Sequence, residues 1–162
     1  MTITQAILNG FRNAFTFSGR SRRPEYWFFF VFVFGGAGLL GALDLVLSGA
    51  TGGFLLRAFQ ILVFVPFLAL GWRRLQDTGR PGWFLLVPSA IVVASTFVSG
   101  SVFQQIISLV LSVFGVAVDG GPGGLVGVLS LVQILAGLVI VVWMSRPSQR
   151  GPNPYGPEPR VQ

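Results

Sequence analysis

The sequence predicts an all-α polytopic transmembrane bundle of about four spans, and three observations carry that prediction. Of 162 residues, 52% are apolar and only 10% charged, with a mean hydropathy of +0.75, against about 25% charged in an ordinary soluble domain. The few charges are also bunched: none falls from Tyr26 to Leu43, from Ala58 to Trp72, from Pro81 to Val118, or from Gly120 to Ser145. A soluble surface helix needs a polar face, whereas a helix in lipid needs roughly 20 apolar residues to cross the hydrocarbon core. Thirdly, every basic residue is Arg, and most lie beside apolar runs, where they orient a membrane protein.

Residues 1–16 lack the basic start and unbroken apolar run of a secretory signal. Ile3, Ile7, Phe11 and Phe15 recur every fourth position among Thr4, Gln5, Arg12 and Asn13. That spacing fits an N-terminal interfacial amphipathic helix, or a helix packed on the protein's own core. After the Ser18-Gly19 turn come Arg20, Arg22 and Arg23. Pro24 and Glu25 then suit a helix's first turn, since Pro sacrifices no hydrogen bond there and Glu complements the positive end of the dipole.

Span 1 is expected over about 27–47, with Tyr26 and Trp27 as interfacial anchors. Asp44 falls roughly 25 Å along it from Trp27, close to the far interface. Gly35, Gly36, Gly38 and Gly41 give the span a small-residue face, which permits close helix packing and a homo-oligomer. A short loop, Ser48–Gly53, leads to span 2 over about 54–72. Arg57 snorkels outward there and Pro66 lies within the helix. Arg73 through Trp83 reads as a compact polar loop, with Trp72 and Trp83 as further anchors. Span 3 follows over about 83–98 and span 4 over about 125–144.

Residues 99–124 decide the topology. Val102–Val118 is apolar but carries Gln104 and Gln105. With four spans, ten of the eleven arginines share the side of the N-terminus and Arg57 alone lies opposite; a fifth span would make it seven against four. The positive-inside rule favours four, with both termini cytoplasmic and 99–124 an outer interfacial or re-entrant insert. Residues 1–145 thus form one membrane domain. The Pro- and Gly-rich residues 146–162 form a flexible cytoplasmic tail.

The residue inventory narrows the chemistry. The chain has no His, Cys or Lys. Ordinary zinc sites, haem, iron–sulfur clusters, disulfides, Walker-type phosphate loops and Schiff-base chemistry are therefore not expected. No cofactor, catalytic residue or metal site is called, and no enzyme activity is expected. The net charge of +6 reflects topology, and no nucleic-acid partner is expected. Ser89, Ser95, Thr96 and Gln133 supply few polar groups near mid-membrane, so transport or channel function as an oligomer is kept only as the alternative.

Three segments stand out: Phe17-Ser-Gly-Arg-Ser-Arg-Arg-Pro-Glu-Tyr-Trp27, Arg73-Arg-Leu-Gln-Asp-Thr-Gly-Arg-Pro-Gly-Trp83 and Asn153-Pro-Tyr-Gly-Pro-Glu-Pro159. In order and spacing they resemble the YhaH-like bacterial inner-membrane family, the domain of unknown function numbered 805. The resemblance covers nearly the whole chain and implies a multi-pass protein of the bacterial inner (plasma) membrane. It implies no activity. The family usually has His where this chain has Gln76, and residues 99–124 look like an insertion relative to shorter members.

The functional candidate is the basic cluster. Arg20, Arg23, Arg73, Arg74 and Arg80 are expected to contact anionic lipid headgroups or phosphate, because guanidinium binds phosphate in a planar fork. Glu25 and Asp77 are expected as ion-pairing partners. If they do pair, the same residues lock two helix ends together. The expected function is structural or interaction-based, with membrane lipids as partners and no protein partner identifiable.

Overall fold

A computed structural model of the chain describes residues 1–47, 53–99 and 124–158, and every regular element among them is helical. The helices are α1 (Ile3–Arg12), α2 (Arg23–Val46), α3 (Phe54–Asp77), a 3-10 turn (Gly82–Leu85), α4 (Leu86–Ser99) and α5 (Gly124–Ser145). Arg23–Val46, Phe54–Asp77 and Val128–Ser145 are long and apolar enough to cross a membrane, and Gly82–Ala94 is a shorter apolar stretch. The protein is a helical membrane bundle. The insert expected over 99–124 lies almost wholly outside the described residues.

The chain divides into two compact units, Met1–Trp83 with Met144–Gln162, and Phe84–Trp143. In the first, α1 opens with a capping box: the Thr2 amide donates to Gln5 Oε1 at 2.8 Å and the Gln5 amide to Thr2 Oγ1 at 3.3 Å. Two otherwise orphaned donors are thereby satisfied. Ala6 and Gly10, with Ala14 just past the helix end, are buried, and the Phe29 ring of α2 lies where a Gly10 side chain would be. Phe11 adds edge contacts to Phe29 and Phe32 at 5.7 and 6.1 Å. Ile3, Leu8 and Phe15 face outward, Phe15 at 84% exposure. The buried stripe is thus offset from the Ile3–Phe15 repeat, because small residues admit the bulky Phe29 and larger ones do not. The helix has one face on the core and another turned away from it.

α2 and α3 pack through aromatic rings. Tyr26 stacks on Phe67 at 5.5 Å, and Phe32 meets Phe59 edge-on at 5.7 Å. Phe59 also seats against Gly36, where a side chain would overlap its ring. At the far end Asp44 is buried and accepts the Leu55 and Leu56 amides at 3.4 and 2.8 Å. The residue preceding α3 is Gly53, which has no side chain to cap with. A carboxylate on the neighbouring helix therefore supplies the cap and complements the positive end of the α3 dipole.

The second unit contains α4 and most of α5. Pro88 lies in the first turn of α4, where a missing amide hydrogen breaks no helical bond. Phe84 and Trp143 approach at 6.2 Å, and Gln133 is fully buried within α5.

Candidate functional site

α3 runs five residues past Trp72 and ends at Asp77. Arg73 to Asp77, read from the sequence as loop, are helical and buried. A positional signal stops the helix at Thr78. Gly79 takes a φ of +79°, its amide donates to the Gln76 carbonyl at 3.1 Å, and the Arg80 amide donates to the Leu75 carbonyl at 3.1 Å. These are the two bonds of a Schellman motif, and Pro81 beyond cannot continue a helix. The stop presents Arg74 and Asp77, one turn apart, at the end of α3.

Asp77 is the hub. One carboxylate oxygen takes Arg20 Nε at 2.9 Å and the other takes Arg74 Nη1, and all three side chains are at most 1% exposed. Arg20 reaches it from the turn before α2, where Gly19 has a φ of +99°. The other hydrogen bonds of both arginines go mainly to backbone carbonyls. Arg20 donates from Nη1 to Gly151 at 2.6 Å and Gly156 at 3.5 Å, and from Nη2 to Gln149. Arg74 donates to Met144 at 3.1 Å, Ser21 at 3.5 Å and Arg146, with Ser148 Oγ at 3.3 Å. Each guanidinium is surrounded by oxygens, the arrangement that makes a buried charge tolerable.

Residues 146–158, expected as a mobile tail, are folded back onto this hub. The Gln149 amide donates to the Asp77 carbonyl at 2.9 Å, and Asn153 Nδ2 to the Gln76 carbonyl at 2.9 Å. Asn153 and Gly156 exchange backbone bonds at 3.1 and 3.0 Å, while Asn153 Oδ1 accepts the Tyr155 amide at 2.9 Å. The Pro- and Gly-rich composition thus encodes a tight turn: Gly151 and Gly156 adopt positive φ of 75° and 134°. Glu158 closes the turn by accepting the Gly151 amide at 2.9 Å.

The other candidate residues divide. Arg23 is half-buried and donates from Nε to the Arg146 carbonyl at 2.8 Å; Arg80 is half-buried. Arg73 is buried, and its Nε makes a long 3.4 Å bond to the Ala69 carbonyl of its own helix. Glu25 accepts the hydroxyl of buried Ser21 at 2.6 Å. Tyr26, at 2% exposure, is a core residue of the α2–α3 contact, stacked on Phe67. Trp27 is half-buried beside Phe30, and Trp72 is half-buried between Phe17 and Gly82. Trp83 is 55% exposed. The sequence reading missed Ser21, Met144, Arg146, Gln149, Gly151 and Asn153, most of which act through backbone atoms. Among the described residues, no cluster of acidic side chains that would hold a metal is present.

Comparison with known proteins covers the first two motifs and most of the third. The family described as Protein of unknown function (DUF805) matches residues 14–157. Inner membrane protein YhaH of Escherichia coli (strain K12) is 27% identical over an alignment of 158 residues that covers 93% of each chain. Inner membrane protein YhaI of the same strain is 39% identical over 83 residues, 51% of this chain and 70% of the relative. No solved structure matches.

Proposed function

Because the chain belongs to the DUF805 family, a family of unknown function, we propose that it is a structural or interaction protein of the bacterial inner membrane, built around an arginine–aspartate clasp. The observation that carries this reading is the convergence of three distant sequence segments on Asp77. The turn before α2, the end of α3 and the segment after α5 are fastened there, with every guanidinium nitrogen of Arg20 and Arg74 engaged in a hydrogen bond within the protein.

In this reading the clasp lies at the cytoplasmic surface, where the arginines belong by the positive-inside rule. The return of Arg146 and Gln149 to Arg20, Arg74 and Asp77 supports an even number of crossings by residues 84–143, hence four spans. Anionic lipid headgroups contact the outer arginines, Arg23 and Arg80, together with the exposed Arg12, Arg146 and Arg150. The buried Arg20 and Arg74 serve the clasp.

Native mass spectrometry of the detergent-purified protein tests the division of labour. Arg23→Ala/Arg80→Ala is expected to lose retained anionic lipid while unfolding at the wild-type temperature. Asp77→Asn is expected to unfold earlier. Equal lipid retention by wild type and the Arg23/Arg80 variant would remove the headgroup role.

A further inference from the structure

We infer that Arg73 and Gln76 hold between them one small hydroxyl-bearing ligand, at a buried site separate from the Asp77 clasp. Both residues are 7% exposed. Arg73 Nη2 and Gln76 Oε1 are both buried without a hydrogen-bond partner, although the polar atoms around Asp77 are satisfied many times over. Three positions apart on α3, the two side chains leave the same face of the helix, with Cβ atoms roughly 5–6 Å apart. One is a pure donor and the other a pure acceptor at these atoms.

The mixture selects the ligand. An anion would meet Arg73 but be repelled by Gln76 Oε1 and by Glu25, whose charge acts on Arg73. A cation would be repelled by the guanidinium. A hydroxyl satisfies both, accepting from Arg73 Nη2 and donating to Gln76 Oε1. Ser21 brings the start of α2 alongside, since its amide donates to the Arg73 carbonyl at 3.3 Å and its hydroxyl to Glu25 at 2.6 Å. The hydroxyl comes from an internal water, which typically makes about three bonds, or from the polyol headgroup of a lipid.

The sign of a stability change tests the site. The full-length protein in detergent is compared with Gln76→Met, Arg73→Met and the double variant. With a shared ligand, Gln76→Met lowers the unfolding temperature by about 2–4 °C, because it strands Arg73, and the double variant loses less than the sum of the singles. If the two atoms are merely unpaired, Gln76→Met removes a buried acceptor and raises the temperature, or the two effects add; either result overturns the site. A polyol-lipid adduct in native mass spectra, lost in Gln76→Met, assigns the hydroxyl to lipid. Ordered solvent density within hydrogen-bond distance of both atoms in a high-resolution structure assigns it to water. Neither adduct nor density also overturns the site.

Discussion

Arg20 and Arg74 share the single carboxylate of Asp77, so removing its charge leaves two buried guanidinium groups without a counter-ion. Losing one partner of a buried pair costs about 3–5 kcal/mol, and Asp77→Asn is expected at the upper end when unfolding is followed in detergent. A wild-type midpoint in that variant would mean the carbonyls alone suffice. Gly79 is a second sensitive position. Its φ of +79° lies in the left-handed region, and any side chain would crowd Gln149. Gly79→Ala is expected to cost about 1–2 kcal/mol on the same assay. At this scale the sequence was informative where charge was conspicuous: Asp77 and its arginines stand out in so apolar a chain. The oxygens of Gln149, Gly151, Gly156, Met144 and Arg146 could not be read, because any residue offers a backbone carbonyl and its identity leaves no trace.

Among the elements, α2, α3 and α5 were legible from apolar length and α1 from four-residue periodicity. What periodicity missed was which stripe docks. Phe29 needs the space that Gly10 leaves empty, so the contact runs through Gly10 on the buried Ala6–Gly10–Ala14 stripe. Gly10→Leu is therefore expected to free α1 from α2, seen as faster amide exchange over residues 3–12 with exchange in α3 unchanged. Unaltered protection would mean that Phe11 alone holds the helix. The Asp44 cap was equally hidden, since the carboxylate and the Leu55 and Leu56 amides it accepts belong to different helices. Asp44→Ala is expected to cost about 1 kcal/mol and to fray the first turn of α3. Equal exchange there in wild type and variant would show the turn is held by other means.

For the molecule as a whole, the four-span proposal predicts which positions meet external reagents. The natural chain has no cysteine, so Ser18→Cys, Gly52→Cys and Arg150→Cys each introduce a single thiol. Only Gly52→Cys is expected to react with an impermeant maleimide applied to the outer face; external reaction at Arg150→Cys would require an odd number of crossings between 84 and 143. Composition made the class legible. It also made residues 146–158 look like a loose end, because Pro and Gly favour turns and linkers alike and only their hydrogen bonds tell the two apart. The placement of that segment has a consequence for biogenesis. A ribosome makes Arg20 and Arg74 before Met144, Arg146, Gln149, Gly151 and Gly156, so two charges wait for the carbonyls that enclose them. A nascent chain interrupted before Arg146 carries its apolar helices yet leaves the clasp unclosed.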